Sequence, residues 1–132
     1  MKIHHEEEQN PKEKEASARG RRSRRKGHDF EREMVRKFKE SLPNCFAVQR
    51  MLQVRGGGGL PDVEIRLNGD PLLHCECKHG KQPNIRKALE QATHDAHKGA
   101  IPAAVTRADR DETLVTMSAD DFTRLLKGLD VE

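Results

Sequence analysis

Large apolar side chains are nearly absent from residues 1–27, where only Met1 and Ile3 occur, and they then return with regular spacing. Phe30, Met34, Val35, Phe38 and Leu42 recur at helical intervals. Residues 29–42 therefore predict an amphipathic helix with Asp29 as N-cap and Pro43-Asn44 as its stop. The period then changes to two. Phe46, Val48 and Arg50 alternate with Ala47, Gln49 and Met51, which predicts a strand over 45–54. A run of four glycines, 56–59, makes a loop. In residues 61–67, Val63, Ile65 and Leu67 alternate with Asp62, Glu64 and Arg66, as in a strand with one wet face. Asn68-Gly69-Asp70 signals a hairpin turn, and residues 72–78 form the partner strand.

Ile85, Ala88, Leu89, Ala92 and Ala96 share one face of a helix over 84–97. Residues 101–106 and 112–117 read as two strands joined by a charged turn at 107–111. Ser118 with Asp121 opens a last helix that runs to Lys127 and stops at Gly128. The order is αβββαββα. The strand–helix–strand step across 72–106 implies a parallel crossover, so the fold class is α/β with a mixed central sheet flanked by helices.

A chain of 132 residues suits one domain. With 33% hydrophobic and 36% charged residues, part of it adds nothing to a core. That part is the N-terminus. Residues 1–25 are expected to be a flexible charged arm, and residues 26–132 the folded domain. The net charge is only +3, but residues 19–26 hold six cations and no anion, a block that attracts polyanions. Nucleic acid is the natural partner. Three cysteines without a secretory signal argue against a disulfide framework. No apolar run approaches a membrane span, so a cytoplasmic protein with no membrane partner is expected. Four Phe, no Trp and no Tyr exclude an aromatic base-stacking platform.

Candidate chemistry starts at Glu76 and Lys78. Two apart on a strand, they share a face, while Cys75 and Cys77 take the other as small buried side chains. Such a pair is ordinary on a wet surface; Asp62 changes its meaning. Pairing outward from the turn brings Asp62 close to residues 77 and 78, so two carboxylates converge beside a lysine. Hard divalent cations take such oxygen ligands.

The first helix supplies a third carboxylate. With Phe30 at zero and about 100° per residue, the apolar arc spans roughly 140°, Glu31 falls inside it near 100°, and Glu33 lies outside near 300°. A carboxylate inside that arc needs either a core-edge Arg or Lys or a metal ion. Gln91 lies on the second helix, off its apolar face. His74, Cys75, Cys77 and His79 suggest zinc by type, but alternate residues of one strand do not converge. His94 and His97 fall on the polar side of their helix.

Pro61-Asp62, thirteen intervening residues and Glu76-Cys77-Lys78 resemble the PD-(D/E)XK nuclease signature. The upstream run Arg25-Lys26-Gly27-His28-Asp29-Phe30-Glu31-Arg32-Glu33 is similar to the opening of archaeal and phage Holliday junction resolvases. The resemblance covers residues 25–79 well and implies a restriction-endonuclease-like core. It also implies a homodimeric, structure-selective endonuclease that uses Mg²⁺ or Mn²⁺, no small-molecule cofactor, and leaves 5′-phosphates on branched DNA. Such enzymes act in the cytoplasm of a cell or of a phage's host. Glu31, Asp62 and Glu76 would hold metal and Lys78 would assist the water. Arg25, Lys26, Arg32, Arg55, Gly57 and Gly58 would contact DNA, with Gln91 as an accessory residue near the site. Two departures bear on loop contacts: residues 52–55 are inserted before Asp62, and the serine common in that loop is missing. Other nucleases on this fold (flap, nicking or sequence-specific) and a non-catalytic nucleic-acid-binding protein are the rival readings.

Overall fold

The computed structural model describes residues 10–51 and 62–129. Three helices and five strands follow the predicted order. They are α1 (Pro11–Ser41), β1 (Phe46–Arg50), β2 (Val63–Leu67), β3 (Asp70–Gly80), α2 (Ile85–Asp95), β4 (Ile101–Ala108), β5 (Thr113–Thr116) and α3 (Ala119–Gly128). The sheet runs β1-β2-β3-β4-β5; only the β3–β4 pair is parallel, bridged by α2. This is the mixed, helix-flanked sheet of an α/β, restriction-endonuclease-like core. The glycine run, with Arg55, Gly57 and Gly58, lies outside the described residues.

The start of the first helix corrects an expectation. It is not capped at Asp29: α1 starts at Pro11, capped by the Asn10 side chain, and runs through Asp29 without a break. The physical reason is propagation. The apolar half from Phe30 onwards is nucleated by packing on the sheet. The Arg, Lys, Glu and Ala residues upstream are good helix formers that extend it cheaply.

α1 packs one face of the sheet. Phe30 and Met34 meet Val48, Val63, Ile65, Cys75, Cys77, Ala103 and Val105 in one buried cluster. The hairpin turn is Asn68-Gly69, both at positive φ (50° and 86°), the geometry that joins Leu67 to Asp70 in two residues. Between Ile65 and Arg66 the register slips by one, leaving Leu72 without a partner. Without that bulge Val63 would face His74, and the apolar side of β2 would meet the polar side of β3. With it, Val63 faces Cys75 and Glu64 faces His74.

The second face of β2 is not wet, contrary to the alternation. Glu64 is 1% and His74 0% exposed, because α2 packs on β3 and β4 as the crossover requires. His97, just past α2, donates its backbone N–H to His74 Nδ1 at 2.9 Å. That bond leaves His74 Nε2 to carry the proton and donate to Glu64 Oε2 at 3.0 Å. Burial alone would raise the Glu64 carboxyl, but Arg66, Gln49 and His74 outweigh it and hold it below its ordinary value.

Candidate active site

At the C-terminal part of β3 the polar face opens into a cavity of about 930 Å³, bordered by α1 on one side and α2 on the other. Glu31, Asp62, Glu76, Lys78 and Gln91 all line it. Each arrives by a different local device. Asp62 sits just before β2, and its Oδ2 accepts the Cys77 N–H at 2.9 Å, which fixes the carboxylate beside β3. Glu76 and Lys78 share the cavity face of β3, with Lys78 Nζ 3.4 Å from Glu76 Oε1. Glu31 reaches in from α1 and pairs with Arg50 at 2.7 Å. Of the two fates open to Glu31 in the sequence, an arginine partner or a metal ion, the arginine partner is the one present, and the same carboxylate lines the cavity. Arg50 follows Phe46 and Val48 on the core face of β1, and an arginine on an apolar face is the signal that it needs an acidic partner.

The electrostatics follow from burial. Asp62 and Glu76 are 9% and 6% exposed. Burial raises the Asp62 carboxyl, the Cys77 N–H opposes this, and the nearby Glu31 adds to it. Burial likewise lifts Glu76, with Asp62 and Asp95 adding to the rise and Lys78 opposing it, so that it is pushed up to about 7. Two buried acids side by side are a destabilised pair until a cation joins them. Asp62 and Glu76 are oxygen donors of the kind a hard divalent ion takes, and Glu31 lines the same cavity.

Some predicted contacts fall elsewhere. Arg25 and Lys26 line a neighbouring cavity of about 290 Å³ on the other flank of α1, with His79 and Arg107. Lys26 pairs there with Asp109 at 2.8 Å. Arg32 is exposed and pairs with Asp29 at 3.2 Å. Glu33 points away from the site to Arg107 at 2.6 Å. His79 turns to Phe30 on the α1 face while His74 lies on the opposite face, so the His and Cys residues of β3 do not converge. Cys75 and Cys77 are buried thiols, Cys75 pushed up to about 12 by burial.

Sequence reasoning missed Asp95, Asn84, Lys87, Arg24 and His28 as cavity residues. Asp95 is buried at the end of α2, where its Oδ2 accepts from Gln91 Nε2 at 2.7 Å. Gln91 and Asp95 stand one turn apart, the single clue the sequence offers.

Comparison with curated proteins finds no matching sequence. The sequence model of a family described as archaeal Holliday junction resolvase (Hjc) matches residues 22–100, from α1 through β3 and α2 to the edge of β4. That span is more than half of the chain and contains every carboxylate lining the cavity. The chain belongs to the archaeal Holliday junction resolvase family, a PD-(D/E)XK-type resolvase family.

Proposed function

We propose that the protein is a divalent-metal-dependent endonuclease that cuts four-way DNA junctions as a homodimer. The observation that carries this is that Glu31, Asp62, Glu76 and Lys78 all line one open cavity. Asp62 and Glu76 would hold Mg²⁺ or Mn²⁺, with Glu31 as a third ligand that Arg50 neutralises meanwhile. The bound ion would offset charge on the scissile phosphate and acidify an attacking water.

The chain's own groups have separate tasks. The Cys77 N–H aims Asp62 by holding its Oδ2. Lys78, 54% exposed, stands at the mouth, where its ammonium can hold the attacking water or meet charge developing on the phosphate. The Asp95 carboxylate fixes the amide of Gln91 with nitrogen inward, so Gln91 Oε1 is the end left for a water or substrate donor. Arg24 and Lys87 border the cavity and offer the cations a phosphate backbone needs.

A homodimer follows from the chemistry, since cutting two opposed strands takes two sites. Leu114 and Val115, on opposite faces of the edge strand β5, and Phe122 and Leu126 on α3 are each 45–51% exposed, and contact with a second copy would cover such apolar groups.

The test is cation dependence at the named residues. Calorimetric titration with Mn²⁺ should show binding that Asp62→Asn abolishes, and cleavage of a junction should require Mg²⁺ or Mn²⁺ and fail in Lys78→Met although DNA binding persists. Cutting that survives chelation would overturn the metal-dependent reading.

A further inference from the structure

The N-terminal part of α1 covers no core. The helix contributes to the hydrophobic core from Phe30 onwards. From Lys12 to Arg25 the described side chains are exposed, apart from the half-buried Ala18 and Gly20. At 1.5 Å per residue, residues 11–24 reach about 20 Å beyond the cavity border. Residues 16–28 contain no acidic residue but hold Arg19, Arg21, Arg22, Arg24, Arg25 and Lys26.

In a helix these cations face one another. Arg19–Arg22, Arg21–Arg24 and Arg22–Arg25 are three apart; Arg21–Arg25 and Arg22–Lys26 are four apart. Like charges at these spacings destabilise a helix. Among the described residues only Lys26 of the six has an ion-pair partner, Asp109. The repulsion is thus built in, and a polyanion laid along the helix would relieve it. The direction is fixed too: Arg24 borders the catalytic cavity and Arg22 and Arg25 border the one beside it. The cationic run therefore leads out from the site itself. The family match starts only at residue 22, so the first eleven residues of α1 lie outside the shared region.

We propose that this extension is a duplex-gripping arm, which lies along the phosphate backbone of a DNA arm leaving the cavity and supplies affinity without branch selectivity. This rests on DNA being the substrate, as proposed above. Guanidinium forks pair with phosphates in two-point contacts, and such contacts carry no information about base or branch. Arginine in place of lysine at five of the six positions suits that geometry.

The experiment compares the full chain with the triple variant Arg19→Gln, Arg21→Gln, Arg22→Gln. A control with the same charge change carries Lys98→Gln, Arg124→Gln, Lys127→Gln, away from both cavities. Binding to linear duplex and to a four-way junction is measured across a salt series in Ca²⁺, with circular dichroism to verify the helix. Loss of three phosphate contacts should lower the slope of log affinity against log salt by roughly 2–3 on both DNAs, with the junction-to-duplex ratio of affinities unchanged. The control should keep the wild-type slope. An unchanged slope in the arginine variant overturns the arm, and so does a loss confined to the junction. Salt-dependent binding without any cutting would sink the nuclease reading and leave the arm standing; no DNA binding by the wild type would sink both.

Discussion

Glu76 is buried at the floor of a cavity with Asp62 and Asp95 near it, and its carboxyl keeps a proton to about pH 7 as a result. The sign of the linkage follows. Between the ordinary value of 4.5 and about 7 the folded, cation-free protein binds more protons than the unfolded chain. Its stability is greatest below that window, falls as pH rises through it, and carries the full cost above. A divalent cation should remove that cost, so Mg²⁺ should raise Tm clearly at about pH 8 and little at about pH 5. Equal shifts at both would contradict the assignment. Glu76→Gln should gain on the order of 1 kcal/mol of cation-free stability in urea melts at neutral pH, because an amide carries no charge to desolvate. The same change should cut cleavage by about a thousandfold or more. A variant both less stable and fully active would show that the carboxylate is structural.

Between residue and site stands the β2–β3 hairpin. One unpaired residue, Leu72, keeps Val63 and Ile65 on the α1 side and aligns Glu64 with His74 on the other. Deleting Leu72 should close the bulge into a regular ladder that keeps Val63 opposite Cys75 and Glu64 opposite His74, so thermal unfolding should stay cooperative. Loss of the cooperative melt would mean that the bulge itself, and not only the register it sets, is needed by the fold.

The elements themselves were legible. Alternation in Val63–Leu67, the Asn68-Gly69 turn and the spacing of Ala88 and Ala92 each mark a local preference that tertiary contacts reinforce. The start of α1 was not, because an exposed charged helix has no apolar stripe to announce it and depends on the packed half behind it. Glu64 was misread for a related reason. Alternation reports chemistry, and only the crossover helix makes a polar face dry. That Glu31, Asp62, Glu76 and Lys78 line one cavity follows from their fixed offsets from turns and apolar positions. Asp95 could not, since nothing local sets a buried aspartate at a helix end apart from an exposed one.

At the scale of the molecule, the described residues present three chemistries to the outside: the carboxylate cavity, the arginine-rich extension of α1, and an apolar surface that includes Phe122 and Leu126 of α3. No helix among the described residues is long and apolar enough to cross a membrane. The apolar surface should be the dimer contact. Phe122→Asp with Leu126→Asp should give monomers in sedimentation velocity and turn paired junction cuts into uncoupled nicks; a dimer that survives both changes must be built elsewhere.

Cleavage of an end-labelled four-way junction in Mg²⁺, beside a flap and a linear duplex of the same sequence, tests the central claim most directly. Symmetric paired nicks in the junction alone, sealable by DNA ligase because each carries a 5′-phosphate, and lost in Asp62→Asn and Glu76→Gln with binding intact, are the predicted result. Cutting of flap or duplex in preference to the junction, or junction binding with no cutting in Mg²⁺ or Mn²⁺, would contradict it.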